Sequence, residues 1–261
     1  GPCNSEAVAQ GHLSEVSGIG AKRREMLQEL GIKRLSELAA ADADQLASRM
    51  ERFGEQHGEV ARSLVAQARV QRDGWVEPLM ASPSLPELQG APGVLLYDIE
   101  SDPDARHDFL HGFVRLPRGD NGRWDPAAAR YHPVLALARH GESRCWQRLQ
   151  ALLAHFKHWP VLHYGETEAL ALSRMAQRQG QTDAEVTALR HRLIDVHVRV
   201  RRHWRLPLSG YGLKPVASWL GFQWSQVGAD GARALLWWRQ WQGTGPERSG
   251  SDHALRWIFQ Y

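Results

Sequence analysis

The sequence predicts an α/β fold, a mixed sheet flanked by helices, preceded by a small all-α domain. Three observations carry this. From about Leu13 to Arg72, apolar positions recur at intervals of three and four, glycines mark the turns, and no alternating strand pattern appears. Pro78, Pro83, Pro86 and Pro92 then fall among Ser82, Ser84, Gly90 and Gly93, the composition of a linker. Beyond it, strand-like runs come first and a strand–helix alternation follows, the order that a mixed sheet with helices packed on it requires.

Taken in order, these segments divide the chain into a helical domain over 1–75, a proline-rich linker over 76–92 and an α/β domain over 93–261. Val94-Leu95-Leu96-Tyr97 is a short apolar run ending in acids, Phe109 to Leu116 is a second strand and Val134 to Ala138 a third. An amphipathic helix follows from about Glu142 to Lys157, with Trp146, Leu149, Leu152, Leu153 and Phe156 on one face. Pro160 precedes a fourth strand, Val161 to Tyr164, and Glu166 to Gln179 returns to helix. From Asp183 onward the pattern is helical, interrupted at Leu206 to Gly212 and Gly243 to Gly250. No repeat of about 20–50 residues is present.

The 261 residues suit two domains better than one. No run approaches the roughly 18–20 apolar residues of a membrane span, and Gly1-Pro2-Cys3 is neither a basic leader nor a signal core, so a cytoplasmic protein with no membrane partner is expected. A net charge of +3, from 32 basic and 29 acidic residues, leans mildly toward a nucleic-acid partner. Cys3 and Cys145 form no Cys-x-x-Cys pair, which excludes a zinc site or disulfide framework built from this chain and fits a reducing compartment. Among the 11 tryptophans, Trp237, Trp238 and Trp241 have helical spacing; core and groove lining is one reading and base stacking the other.

In Val16-Ser17-Gly18-Ile19-Gly20-Ala21-Lys22-Arg23-Arg24 a Gly-hydrophobic-Gly turn runs into a helix. Glycines allow positive φ and close backbone approach, and free amides at a helix start favour phosphate. The segment resembles the helix-hairpin-helix motif, and Leu30-Gly31-Ile32-Lys33-Arg34-Leu35-Ser36-Glu37-Leu38-Ala39 is similar to its continuation in DNA repair proteins. Phe53 to Ala61 reads as a second, degraded hairpin. The resemblance implies phosphate contacts by Gly18, Ile19, Gly20, Lys22 and Arg23, hence weak, salt-sensitive binding without sequence preference. The alternative is a helical spacer whose glycines only let two helices pack closely.

Tyr97-Asp98-Ile99-Glu100 sets two acids two residues apart on a strand, so both project from one face. Their mutual repulsion is relieved when a divalent cation sits between them. After the fourth strand, His163-Tyr164-Gly165-Glu166-Thr167-Glu168 brings further acids to a helix start, where they serve either a metal site or the helix dipole. Leu193-Ile194-Asp195-Val196-His197 lies within a basic stretch containing Arg190, Arg192, Arg199, Arg201, Arg202 and Arg205, a solvated face some of whose members are expected to track a phosphate backbone.

Asp-x-Glu in this setting resembles the first motif of the RNase H-like, DnaQ-related DEDD exonucleases. His163 to Glu168 is similar to their His-Asn-x-x-Phe-Asp, with Glu168 at the position of the metal-binding Asp and His163 and Tyr164 placed beside the nucleic acid. Leu206-Pro207-Leu208-Ser209-Gly210-Tyr211-Gly212-Leu213-Lys214 resembles a Ser-Tyr-Ser-Leu-Lys-like turn of uncharacterised RecB-like nucleases, which makes Lys214 a nucleic-acid contact by analogy. In those proteins a Cas4-like nuclease domain precedes the helix-hairpin-helix and RNase H-like domains. Cys3 falls where the last cysteine of that domain's iron-sulfur cluster lies, and no cluster is expected from it alone.

The resemblance implies a two-metal 3′–5′ exonuclease acting on single-stranded ends of DNA or RNA, with Mg2+ or Mn2+ held by Asp98, Glu100, Glu168 and a fourth acid. In the tyrosine branch of that superfamily the closing motif is Tyr-x-x-x-Asp. Tyr261 falls at its tyrosine, and the aspartate is expected four residues further on, so the 261-residue chain is expected to have little or no activity. A non-catalytic module serving a partner nuclease domain and a Holliday-junction or RNase H-like endonuclease are the alternatives.

Overall fold

The chain forms two compact units, Gly1–Ser84 with His197–Gln223, and Leu85–Val196 with Trp224–Tyr261. The computed structural model describes residues 11–136, 141–223 and 231–244 of them. Cys3 and Tyr261 lie outside these residues, as do the end of the expected third strand and much of the expected break at Gly243 to Gly250.

In the first unit the helical periodicity becomes α1 (Ala21–Glu29), α2 (Leu35–Ala40), α3 (Ala43–Met50) and α4 (Glu55–Asp73). Local chemistry fixes their starts. The Asp42 carboxylate accepts from the amides of Asp44 and Gln45, capping α3. Glu37 reaches back to the amides of Lys33 and Arg34 at the head of α2, and these bonds hold its carboxyl below the usual range. Leu27, Leu38, Met50, Val65 and Ala68 are fully buried between the helices.

The proline-rich stretch and the later helical break are less irregular than their composition suggests. Glu77–Pro78 pairs antiparallel with Trp204–Arg205, and Arg205 forms an ion pair with Glu77. Gln67 of α4 donates to the carbonyl of Leu206 at 2.9 Å and accepts from the Tyr211 hydroxyl at 3.1 Å. A helix over Val196–His203 and another over Leu213–Trp219 flank this break.

The second unit is built on a five-stranded mixed sheet: β1 (Gly93–Asp102), β2 (His107–Pro117), β3 (Arg130–Leu135), β4 (Val161–His163) and β5 (Leu193–Asp195), in the order β3-β2-β1-β4-β5. β2 runs antiparallel to both β1 and β3, whereas β4 is parallel to β1 and β5 parallel to β4. Two strands differ from expectation. β3 begins at Arg130 rather than Val134, because it is an edge strand whose first residues are polar and exposed. Leu193–Asp195, expected as helix, is strand: three residues carry no periodicity, and pairing of Leu193, Ile194 and Asp195 with Val161, Leu162 and His163 decides their conformation.

Helices α5 (Gly141–His155), α6 (Thr167–Arg178), α7 (Asp183–Arg192) and α8 (Gly231–Thr244) pack on this sheet. Leu95, Tyr97 and Phe113 of the sheet form one core with Trp146, Leu149 and Leu153 of α5 and Leu172 and Met175 of α6. Burying each such leucine contributes about 1.5–3 kcal/mol. Arg192 closes the core's edge by donating to the carbonyls of Leu153 and Trp159. With Arg190 on the Ser173 hydroxyl and Arg205 on Glu77, three of the basic residues expected to track phosphate are engaged internally.

α8 packs elsewhere on the sheet. Ala234 and Trp238 cluster with Phe109 and Leu110, and the Trp238 and Phe109 rings stack at 4.8 Å, which assigns Trp238 to the core. The Arg239 guanidinium bridges Asp102 at 2.7 Å and Asp104 at 2.6 Å, fastening α8 to the β1–β2 turn. No described helix is long and apolar enough to cross a membrane.

Candidate active site

Asp98 and Glu100 lie near the end of β1, in register with Gly112 and Leu110 of β2. By strand alternation they share the face opposite Tyr97. The chain leaves β4 at His163 and turns through Gly165, whose φ of +109° suits a residue without a side chain. Two bonds hold that turn: His163 Nδ1 donates to the Gly165 carbonyl at 2.5 Å, and the Gly165 amide donates to Asp195 Oδ1 at 3.0 Å. Because His163 and Asp195 are paired across β4 and β5, the turn is set by the sheet. α6 begins two residues later and carries Glu168 in its first turn.

The Glu168 and Asp98 carboxyls are close enough that each shifts the titration of the other. Burial, and then the charges of Asp98 and Asp195, push the pKa of Glu168 up to about 7. Asp98 is raised as well, again by burial, opposed by the Ile99 amide that it accepts at 2.9 Å and by Glu168. Glu168 Oε2 is buried without a hydrogen-bond partner; His163 Nδ1 is 3.8 Å from it. Glu100 stands apart from this pair, beside the start of α8, where a Cβ added at Gly231 would lie 3.3 Å from Glu100 Oε2.

Two further residues belong to the site and were not singled out in the sequence. Asp195 fixes the Gly165 turn and raises Glu168 through its charge. Tyr131 of β3 lies across β2: a Cβ added at Gly112 would meet its hydroxyl at 3.0 Å. Burial, then Asp98 and then Glu100, push that phenol up to about 12, so it stays protonated and is available as a donor. The one sequence signal for this approach was a glycine inside a strand, which marks a bulge or a close neighbour.

The remaining predicted residues are placed as follows. Tyr164 is half-buried, its phenol raised by burial and by Asp195. Gly18 (φ +92°), the buried Ile19 and Gly20, the residue before α1, form the turn that leads into α1. Lys22 is exposed there, whereas Arg23 folds back to donate to the Gly18 carbonyl at 2.9 Å. Lys214 is exposed on the helix Leu213–Trp219 of the same unit.

A buried carboxylate oxygen without a partner, with a second acid nearby, is donor chemistry that a hard divalent cation would satisfy, since such a cation takes oxygen ligands. Asp98 and Glu168 fit such an ion. Among the described residues, no group of three or more His, Cys, Asp or Glu side chains is gathered closely enough to hold one.

A family model described as the RNase H superfamily matches residues 95–261, a stretch that begins inside β1 and includes Asp98, Glu100 and Glu168. No curated protein and no solved structure matches the chain.

Proposed function

Since the chain belongs to the RNase H superfamily, we propose that it is a metal-dependent nuclease that hydrolyses phosphodiester bonds of DNA or RNA from the 3′ end, with its hydrolytic centre at Asp98, Glu100 and Glu168. The observation that supports this most directly is the buried Glu168, with its unpartnered Oε2, beside the exposed Asp98. These two acids, with Glu100, would hold Mg2+ or Mn2+, which supplies positive charge to the phosphate oxygens in the transition state. The chain's own residues do the rest. Burial raises Glu168 to about 7, so that it holds a proton more readily than an exposed glutamate does. Asp195 and His163 fix the Gly165 turn and so the position of Glu168. The protonated Tyr131 hydroxyl offers a hydrogen bond at the acidic face.

The finer family reading supplies the other assignments. Gly18, Ile19, Gly20 and Lys22 form a helix-hairpin-helix module that holds phosphate, Lys214 is a further contact, and a Cas4-like nuclease domain of a RecB-like protein acts as partner.

Incubation of the chain with end-labelled single strands and Mn2+ tests the proposal. The expected result is stepwise release of nucleotides, circular strands left intact, and a loss of at least about 100-fold in Asp98→Ala, the scale on which removing a transition-state contact acts. Cleavage of circles identifies an endonuclease instead. The other reading is a nucleic-acid-binding module without catalysis; binding without cleavage, unchanged in Asp98→Ala, is its signature.

A further inference from the structure

On the sheet face opposite Asp98, a cavity of about 360 Å3 is lined by Arg115, Arg130, His132, Leu152, His155 and Phe156. Its place follows from register: Arg115 pairs with Leu95, on the face of Tyr97 and α5. Arg115 and Arg130 stand directly opposite one another on β2 and β3. Like charges so placed destabilise a sheet unless an anion is shared between them. No carboxylate lines the cavity. Arg130 is steadied by the carbonyls of Ala127 and Ala129 at 3.2 and 2.7 Å, while the Arg115 guanidinium makes no hydrogen bond or ion pair with the described residues.

His132 adds an independent sign. Its Nε2 is buried without a partner, and burial, with Arg115 and His155, lowers its affinity for a proton. A histidine with an unpartnered ring nitrogen and an arginine without a counter-ion thus line one hollow. The wall beside them is apolar and aromatic. Leu152 and the buried Phe156 form it, and the His132 and His155 rings stand edge-on to Phe156 at 6.0 and 4.6 Å. At this volume the hollow is within the size range of small-ligand sites, and its two halves suit a group that is anionic at one end and flat at the other. Paired guanidinium forks match the oxygens of a phosphate better than a point charge does.

We propose that this cavity binds a nucleoside phosphate, with the phosphate between Arg115 and Arg130 and the base against Phe156. The phosphate belongs either to a free nucleotide or to a nucleic-acid strand. The site stands on the face away from Asp98 and does not depend on the nuclease reading.

Calorimetric titration of the whole chain at low salt, with adenosine, adenosine monophosphate and a short single strand bearing a 5′ phosphate, tests it. Adenosine monophosphate is expected to bind saturably and adenosine not. Arg115→Gln and Arg130→Gln are each expected to weaken binding by about tenfold or more, the effect of losing one charge-assisted contact of roughly 1.4 kcal/mol. Asp98→Ala leaves it unchanged, and neither arginine variant lowers Tm, because each removes a like-charge pair. Tighter binding of the strand, in competition with the mononucleotide, assigns the phosphate to nucleic acid; equal binding assigns it to the free nucleotide. Absence of saturable binding, equal weakening by Asp98→Ala, or equally tight binding of polyglutamate overturns the proposal.

Discussion

Tyr97 and Asp98 are adjacent on β1 and face opposite sides of one sheet. On the Tyr97 side, the phenol lies parallel to Phe113 at 4.5 Å and is hydrogen-bonded to His111 Nδ1 at 2.9 Å. Burial pushes Tyr97 up and His111 down to about 4, so both stay neutral and the pair fits an apolar core. On the Asp98 side, the neighbour is another acid, and the same burial makes Glu168 retain a proton at pH values where an exposed glutamate has lost it. Desolvation acts on both sides. It stabilises the side whose groups are neutral and leaves the side with two carboxyls in need of a cation.

The contrast breaks most directly on the covered side. Phe113→Ala removes a fully buried ring and is expected to cost about 3–5 kcal/mol in urea unfolding; a cost below roughly 1 kcal/mol would mean that this side is not a packed core. Next comes the acid limb of His111. Its pKa is depressed from the usual 6.5 to about 4, so the unfolded chain takes the proton first. Stability is therefore full above pH 6.5 and declines as pH falls toward 4, by about 3 kcal/mol over that window at 1.36 kcal/mol per pH unit. His111→Gln should remove the decline, and an unaltered pH profile would contradict the burial argument.

Glu168 acts with the opposite sign. Its pKa is raised from 4.5 to about 7, so its contribution is full below pH 4.5 and is lost as pH rises through 7. Glu168→Gln should accordingly gain stability on the order of 1–3 kcal/mol above pH 7 and none below 4.5. Because this window overlaps that of His111, each limb is read as the difference from its own variant rather than from the profile of the parent chain. Added Mn2+ should raise the Tm of the parent above pH 7 and have no such effect on the Gln variant. The smallest effect is expected at Tyr131, which is 42% exposed. Tyr131→Phe should change stability by no more than about 0.5 kcal/mol while weakening Mn2+-dependent cleavage; equal cleavage would remove the tyrosine from the site.

What the sequence discloses follows the range of the interaction. The apolar run entering β1, the amphipathic stripe of α5 and the acids at 98, 100 and 168 are each visible within a few residues, and the mixed sheet with flanking helices follows from their order. β5 and the polar start of β3 are not visible, since pairing with distant strands makes them. The same is true of Asp195 on the Gly165 amide, of Tyr131 over Gly112 and of Arg115 opposite Arg130. Nothing in the neighbouring sequence of any of these names its partner.

The two ends of the sheet bear on how the molecule behaves in a crowd. A β-sheet border with unused amides and carbonyls is a template on which other chains can add strands and grow fibrils. Here one border is β5, only three residues long, and the other is β3, which carries Pro133 at its centre and Arg130 at its start. A proline has no amide hydrogen to offer an incoming strand, and a charge disfavours a second copy in register. The sheet that bears the acids of β1 thus gives a neighbouring chain little to extend.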